Sequence, residues 1–178
     1  MGGEDKGLQA LQGRPLALHA MERLQPQVGA LLINANRNID RYAALGAPVV
    51  QDSEADFPGP LAGLLAGLRA ARTSWLLCAP CDAPLLPLDL HERLAAQIGS
   101  AAVAVPRSGD GQLQPLFALL RCALHADLAA ALARGERKAQ RWLCEQAHVV
   151  VPFERAQDQR AFLNINSSAE LLALQTHG

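Results

Sequence analysis

The chain has 178 residues, of which 50% are hydrophobic and 19% are charged, so it is long enough for one domain with a sizeable core. Its net charge of -1 and its sequence pI of about 6.5 exclude the basic surface that binding to nucleic acid or to an anionic membrane requires. No apolar run approaches the roughly 18 residues of a membrane span, and the N-terminus does not resemble a secretory signal. We therefore expect a cytoplasmic protein with one domain.

Residues 1–7, Met-Gly-Gly-Glu-Asp-Lys-Gly, place two glycines shortly before Lys6. Backbone amides that glycine leaves accessible can cradle a phosphate, and a lysine ammonium can neutralise charge that develops on it. The alternative is an exposed Lys6 without function. A helix is predicted over residues 15–24, where Pro15 suits the first turn and apolar residues recur at helical spacing.

The compact apolar run at residues 28–33 predicts a strand, and Asn34-Ala35-Asn36-Arg37 follows it directly. Open α/β sheets bind ligands at the carboxyl ends of their strands, so Asn34 is placed for such a role, although asparagine is also an ordinary strand terminator. A short helix should follow through Tyr42 and end at Gly46.

The next predicted strand, residues 47–51, ends on the carboxylate of Asp52. Acidic residues at strand ends favour a ligand-binding edge, because a core strand gains nothing from a carboxylate. Gly59 then precedes a helix in which four leucines share one face, while Gly63 and Gly67 share another. These glycines would let a ligand or a second backbone approach closely, and a tight contact between helix and sheet is the alternative.

A strand predicted over residues 75–79 leads into Pro80-Cys81-Asp82-Ala83-Pro84, a turn that cannot continue as a helix. An aspartate just past a buried strand is well placed to hold a divalent cation against a phosphate, so Asp82 is the predicted metal ligand. The alternative is that its side chain only caps the turn.

Cys78 and Cys81 form a Cys-Ala-Pro-Cys pair. A thioredoxin-like pair should open a helix, whereas here an aspartate and two prolines follow at once. We therefore expect small, buried, apolar cysteine side chains in a reducing compartment, with a redox role as the less favoured alternative.

Helices and short strands alternate along the chain, which predicts an α/β fold with right-handed crossovers around a mostly parallel sheet. The turn signal at residues 108–111 predicts an antiparallel hairpin in the C-terminal half. Further helices are predicted at residues 87–98, 123–133, 138–146 and from Ser167 onward, and further strands at residues 101–105, 112–120 and 148–153. Residues 162–166 alternate apolar and polar, as a half-exposed strand or a turn would.

Several of these motifs together carry a family resemblance: residues 1–7, Asn34-Ala35-Asn36-Arg37, Asp52-Ser53, Gly59-Pro60-Leu61-Ala62-Gly63, Pro80-Cys81-Asp82-Ala83-Pro84 and Asn164-Ile165-Asn166. In order and spacing the chain resembles the molybdenum cofactor guanylyltransferase family, often called MobA, over nearly its whole length. The resemblance implies a three-layer Rossmann-like nucleotidyltransferase fold that joins the GMP part of GTP to the terminal phosphate of molybdopterin and releases pyrophosphate. It further implies Mg²⁺ as cofactor and molybdoenzymes or their chaperones as recipients of the product, and we expect a monomer.

The resemblance also assigns roles to individual residues. Asp82 is implied to be the Mg²⁺ ligand and, with Lys6, to be catalytic. The implied GTP-binding residues are Lys6, Asn34, Asp52 and Asp82, and the residues linked to molybdopterin or to turnover are Gly59, Gly63, Arg137, Asn164 and Asn166. These roles suit nucleotidyl transfer, which requires mainly that two polyanions be held in line and that charge on the α-phosphate and the leaving pyrophosphate be offset.

In this family an apolar strand and the first half of the phosphate loop precede the segment found here at residues 1–7. We therefore expect the domain at residues 1–178 to be N-terminally incomplete, the natural protein to extend upstream, and this chain alone to bind GTP weakly. Two alternative functions are a related nucleotidyltransferase that uses another nucleotide and a non-catalytic molybdopterin-binding module.

Overall fold

A computed structural model describes residues 5–52 and 59–165 of the chain. Its α-helices are α1 (Leu16–Leu24), α2 (Ile39–Ala43), α3 (Pro60–Ala70), α4 (Leu90–Gln97), α5 (His125–Ala133) and α6 (Ala139–Glu145). Its strands are β1 (Ala10–Leu11), β2 (Arg14–Pro15), β3 (Ile33–Asn34), β4 (Val49–Val50), β5 (Trp75–Leu77), β6 (Val103–Ser108), β7 (Leu119–Arg121) and β8 (His148–Phe153). Every helix in these residues is too short or too polar to cross a lipid bilayer.

The largest sheet among the described residues has the strand order β5-β7-β6-β8. Strand β7 is antiparallel to both β5 and β6, whereas β6 and β8 are parallel from Val103↔His148 to Ser108↔Phe153. Three of the four strands therefore run in the same direction, and β3 and β4 form a further parallel pair. The predicted α/β class, with a mostly parallel sheet and an antiparallel portion in the C-terminal half, is confirmed.

The main sheet is buried on both faces. Because side chains alternate along a strand, Val103 and Val105 of β6 pack among α3, α5 and α6, while Ala104 between them packs with α4 on the opposite face. Trp142 of α6 and Phe153 of β8 anchor the two clusters and are fully buried. Helices on both faces of the sheet give the three layers that the family resemblance implies.

The predicted helices agree with the structure better than the predicted strands do. The helices at residues 15–24, 123–133 and 138–146 correspond to α1, α5 and α6. By contrast, the apolar run at residues 28–33 contributes only Ile33 to β3, and the run at residues 47–51 contributes only Val49 and Val50 to β4. An apolar run reports burial, whereas a strand also needs a hydrogen-bonding partner along its length.

Two other segments differ from the sequence prediction. A hairpin of β1 and β2 was not predicted; its turn residues, Gln12 and Gly13, both have positive φ angles, as tight hairpin turns require. Of the strand or turn predicted at residues 162–166, the strand is excluded where the segment is described, because residues 162–165 pair with no strand. Asn166 and the last predicted helix lie outside the described residues.

Candidate active site

Asp82 lies in the turn that follows β5, close to the N-terminal segment. The Nζ atom of Lys6 is 4.0 Å from Oδ2 of Asp82, and the Asp82 side chain is only 14% exposed. The backbone N–H of Ile165 donates a hydrogen bond to the carbonyl of Asp82 at 2.9 Å, which fixes the turn against the C-terminal segment. We call Lys6 and Asp82 the phosphate cluster.

Burial and charge act in opposite directions on the Asp82 carboxyl group. Burial raises its pKa, while a hydrogen bond from its own backbone N–H and the nearby Lys6 ammonium favour the ionised form. A partly desolvated carboxylate of this kind gains from a second cationic partner. This electrostatic setting suits the binding of a metal ion beside the lysine.

Asn34, Asn36 and Asp52 form a second group, which we call the amide–carboxylate cluster. The Nδ2 atoms of Asn34 and Asn36 donate to the two carboxylate oxygens of Asp52, at 2.8 and 2.7 Å respectively. The backbone N–H of Asp52 donates in return to Oδ1 of Asn36 at 2.8 Å. Because β3 and β4 are parallel and adjacent, their carboxyl ends bring these three residues together, as the sequence predicts.

Gly63 lies on α3 directly against the side chain of Asn34. A Cβ atom at position 63 would lie 3.0 Å from Cγ of Asn34 and closer still to its Oδ1. Gly67, one turn further on, faces the tip of Leu76 on β5. At both glycines the close contact is thus between α3 and a strand, as the helix–sheet alternative predicts, and at Gly63 the contacting group is the side chain that holds Asp52. Close approach of a ligand at these glycines stays a prediction.

The N-terminal segment is tied to α2 through Asp5. The Tyr42 hydroxyl donates to Oδ1 of Asp5 at 2.6 Å, and Arg37 Nε and Asn38 Nδ2 both donate to Oδ2 at 3.3 Å. Tyr42 is buried, and this burial, together with the hydrogen bond to Asp5, raises the pKa of its hydroxyl, which remains a neutral donor. Asp5 is adjacent to Lys6, so these bonds fix the backbone that carries the ammonium group.

Gly7 is buried between α2 and the Asp82 turn. A Cβ atom there would lie 2.5 Å from the Tyr42 hydroxyl oxygen and 2.8 Å from Sγ of Cys81. No side chain larger than that of glycine fits without moving one of these two groups. The segment therefore passes through a narrow gap that positions Lys6 beside Asp82.

The other predicted site residues fall in different places. Gly59 is the N-cap of α3 with φ of 130°, a conformation that glycine adopts readily. Asn164 immediately precedes Ile165 and so lies next to the Asp82 turn. Arg137 donates through Nη1 to the carbonyls of Leu132 at 3.0 Å and Glu136 at 2.7 Å, which caps the end of α5. Asn166 lies outside the described residues.

The residues present fit a magnesium ion that binds mainly to its substrate. Within residues 5–52 and 59–165, no group of three or more His, Cys, Asp or Glu side chains is arranged to hold a metal ion. Mg²⁺ commonly takes one or two carboxylates from the protein and completes its shell with phosphates and water. The partly buried carboxylate of Asp82 is of the type that this coordination requires.

The cysteines are free thiols, and the expectation that they are all buried is wrong. Cys81 and Cys144 are exposed, whereas Cys78 and Cys122 are partly buried. Burial, chiefly, raises the pKa of Cys78 to about 12. Cys81 is exposed as a residue, but its Sγ packs against Gly7, and this burial of the thiol, chiefly, raises its pKa to about 11. Both side chains are protonated at neutral pH, which argues against a nucleophilic thiolate in this pair.

Sequence reasoning missed Asp5 and Tyr42. Their contact joins residues 37 positions apart and depends on how α2 packs against the N-terminal segment. For Asp5, the available signal was its position as a polar residue immediately before the predicted phosphate-binding lysine. For Tyr42, the only tyrosine in the chain, the signal was a single hydroxyl on an otherwise apolar helix face.

Residues 1–150 match a family model described as the MobA-like NTP transferase domain. The chain belongs to this family. A molybdenum cofactor guanylyltransferase of Burkholderia ambifaria (strain MC40-6) is 56% identical over 184 residues, which cover 98% of this chain and 88% of the relative. One of Cupriavidus pinatubonensis (strain JMP 134 / LMG 1197) is 50% identical over 177 residues, covering 96% of this chain and 87% of the relative.

Solved structures show the same fold. Molybdopterin-guanine dinucleotide biosynthesis protein A from Archaeoglobus fulgidus superposes with a TM-score of 0.79 at 21% identity, covering 98% of this chain and 90% of that one. 2-C-methyl-D-erythritol 4-phosphate cytidylyltransferase from Thermus thermophilus superposes with a TM-score of 0.70 at 17% identity, covering 96% and 92%. The MobA-like resemblance that the motifs carry is thus confirmed, together with the nucleotidyltransferase fold.

Proposed function

We propose that this protein transfers the GMP part of GTP to molybdopterin, forming the guanine dinucleotide cofactor and releasing pyrophosphate. The observation that carries the proposal is the phosphate cluster, in which the Lys6 ammonium lies 4.0 Å from a largely buried Asp82 carboxylate at the end of a strand. The two relatives of 50% and 56% identity, both named molybdenum cofactor guanylyltransferase, support the choice of substrates.

Asp82 is the proposed ligand of Mg²⁺, which when bound offsets negative charge on the phosphates of GTP. Lys6 points its ammonium group at the same place and neutralises charge that develops on the α-phosphate or on the leaving pyrophosphate. The phosphate of molybdopterin supplies the attacking oxygen, so the protein needs no side-chain nucleophile. Its own residues hold the reacting groups in line.

Asn34 and Asp52 are the proposed contacts to the nucleoside part of GTP. Asp52 already receives hydrogen bonds from two amides, so its carboxylate is fixed before the nucleotide arrives. Such preorganisation lowers the entropic cost of binding. On the acceptor side, Asn164 adjoins the Asp82 turn and is a proposed molybdopterin contact, together with Asn166. Gly59, Gly63 and Arg137 are proposed to act in turnover, and Gly63 does so through its contact with Asn34.

Guanylyl transfer from GTP to molybdopterin in the presence of Mg²⁺ tests the proposal, with CTP and ATP as parallel donors. We expect the guanine dinucleotide product with GTP, little product with CTP or ATP, and no product when EDTA removes the metal ion. A preference for CTP or ATP would replace the proposal with a related nucleotidyltransferase. Binding of molybdopterin without binding of GTP or Mg²⁺ would replace it with a non-catalytic binding module.

A further inference from the structure

Asp158 is a buried charge to which the proposed reaction gives no role. It is 3% exposed, and no other charged residue in the described ranges, 5–52 and 59–165, is buried as deeply. Both of its carboxylate oxygens accept hydrogen bonds from Nη1 of Arg93 at 3.0 Å. Taking two charges out of water costs free energy that their attraction only partly offsets, so such a pair adds little stability beyond that of apolar packing. Its charge-assisted hydrogen bonds are directional, however, and fix the two side chains in one arrangement.

Arg93 is itself held firmly between α4 and the main sheet. Its guanidinium carbon lies 3.5 Å from the centroid of the Phe153 ring. Its Nη2 atom donates to the carbonyl of Pro152 at 2.8 Å, and the carboxylate of Asp89 lies 3.7 Å from Nη1. Because Pro152 and Phe153 belong to β8, Arg93 gives Asp158 a fixed point on the edge of the sheet.

Asp158 lies near the start of residues 155–165, which we call the C-terminal strap. Its Oδ2 accepts the backbone N–H of Arg155 at 3.0 Å, and its own N–H donates to the Arg155 carbonyl at 2.8 Å. Further along the strap, the ring of Phe162 meets that of Phe153 edge to face, with centroids 5.3 Å apart. This is the same ring that lies beneath the guanidinium on α4. The strap is therefore packed on the sheet through the contacts that also hold the buried ion pair.

The far end of the strap contacts both sides of the phosphate cluster. The N–H of Ile165 donates to the carbonyl of Asp82 at 2.9 Å. The Ile165 side chain is 2% exposed and packs with Leu11 and Leu16 in a small apolar cluster. Leu11 lies in β1 and Leu16 follows β2, so this cluster includes the hairpin that comes directly after the segment carrying Lys6. One residue of the strap thus joins the Asp82 turn to the N-terminal hairpin.

We propose that Arg93 and Asp158 are positioning residues for Asp82, the proposed ligand of Mg²⁺. By fixing one end of the strap, they hold Ile165 against the Asp82 turn and so set the place of Asp82 relative to Lys6. Neither side chain acts on a substrate directly. The role given to Asp82 rests on the proposed function, whereas the link from Asp158 to Ile165 rests on the contacts alone.

Hydrogen exchange of the Ile165 N–H, measured by NMR where the proteins are folded, reports on the far end of the strap. We expect Asp158→Ala to raise this exchange rate about tenfold, because the hydrogen bond to Asp82 then opens more often. Asp127→Ala is the matched control. The Asp127 carboxylate also ties two segments together, since it accepts from Trp142 at 2.8 Å and Gln146 at 3.0 Å, but on the opposite face of the sheet. This control should leave the exchange of Ile165 unchanged.

Binding of Mn²⁺ in the presence of GTP, followed by paramagnetic resonance, measures the consequence at Asp82. We expect Asp158→Ala to weaken Mn²⁺ binding about tenfold, as the loss of a group that orients a metal ligand does, and Asp127→Ala to bind as the wild type does. Added to Asp82→Ala, the same Asp158 substitution should weaken binding no further. A role in stability alone predicts fewer binding sites of unchanged affinity, and that result would overturn the proposal.

A second variant covers the case in which Asp158→Ala does not fold. Insertion of Gly-Gly between Leu163 and Asn164 leaves the ion pair and the Phe162 ring in place but lengthens the strap, so the same two changes should follow. Wild-type Ile165 exchange or wild-type Mn²⁺ affinity in whichever of these variants folds would overturn the proposal.

Failure of the proposed function has a different signature. A protein that transfers no GMP, yet binds Mn²⁺ with GTP in a way that depends on Asp158, would support the positioning role and reject the guanylyltransferase activity. Absence of Mn²⁺ binding by the wild type would overturn the positioning role as well.

Discussion

Gly63 is the residue at which one added carbon should affect the nucleotide site most directly. In Gly63→Ala the new Cβ would meet Oδ1 and Cγ of Asn34 and push that side chain off Asp52. We expect the KM for GTP to rise about tenfold, the effect of losing one or two hydrogen bonds to a charged partner. Steady-state kinetics with GTP as the varied substrate measure this change.

Gly67→Ala is the matched control on the same helix. Its Cβ would meet only the flexible end of Leu76, at 3.2 Å, and alanine stabilises a helix interior by roughly 0.5–1 kcal/mol relative to glycine. The KM for GTP should therefore stay at the wild-type value in Gly67→Ala. An equal rise in both variants would show that α3 as a whole, rather than the Asn34 contact, controls nucleotide affinity.

Tyr42 positions Lys6 through Asp5, so its effect should depend on Lys6. Tyr42→Phe removes the 2.6 Å hydrogen bond to Asp5 while preserving the packing of the ring. We expect kcat to fall about tenfold with little change in the KM for GTP, because Lys6 acts on charge that develops in the transition state. Added to Lys6→Ala, the same substitution should cost nothing further; an undiminished additional loss would contradict the positioning role.

The pH dependence of alkylation checks the environment of Cys81. Burial raises its pKa to about 11, so only a small fraction is thiolate at neutral pH. Because the thiolate is the reactive form, the rate with iodoacetamide should rise about tenfold per pH unit from pH 7 to 10. Site-resolved mass spectrometry measures this rate, and a rate that levels off above about pH 9 would show an ordinary thiol.

At the residue scale, the sequence was enough to locate the polar side chains that follow the ends of strands. Asn34, Asp52 and Asp82 each follow an apolar run, and the structure brings Asn34 to Asp52 and Lys6 to Asp82. The contact of Asp5 with Tyr42 was not predictable from spacing. It arises only when α2 packs beside the N-terminal segment, and no local pattern records that packing.

At the element scale, the start of α3 depends on one glycine. Gly59 has φ of 130° and ψ of 175°, a region that residues with a Cβ rarely adopt. We expect Gly59→Ala to lower the free energy of unfolding by about 1–3 kcal/mol, measured by urea denaturation. Gly29→Ala is the control, since no atom lies within 4 Å of its Cβ position, and it should change stability by less than about 0.5 kcal/mol.

An unchanged stability in Gly59→Ala would show that the helix can begin elsewhere. In that case a functional reason for this glycine, such as close approach of a substrate, would be the better explanation. The two causes separate further in kinetics, because strain alone leaves kcat unaltered at temperatures where the variant is folded.

Elements were predictable where the pattern is local. Helix α1 shows apolar residues at helical spacing, and the structure has it at Leu16–Leu24. The β1–β2 hairpin could not be predicted, because each of its strands has only two residues, too few to show an alternation of apolar and polar side chains. The 3-10 helix at Pro115–Phe117 likewise interrupts a run that alternation alone predicts as strand.

At the scale of the whole molecule, the alternation of helices and strands was enough for the α/β class. The strand order β5-β7-β6-β8 was not predictable, because β7 enters between β5 and β6 through pairing of residues distant in the chain.

The most direct test compares guanylyl transfer with thermal unfolding in wild type, Asp82→Ala, Lys6→Ala and the control Glu145→Gln, which changes an exposed carboxylate paired with Arg141 on α6. We predict that Asp82→Ala and Lys6→Ala lower turnover about 100- to 1,000-fold while their melting temperatures stay within about 3 °C of the wild type. The control should match the wild type in both measurements. Turnover that survives in Asp82→Ala, or falls only as far as the folded fraction does, would contradict the account and leave Asp82 as a turn cap.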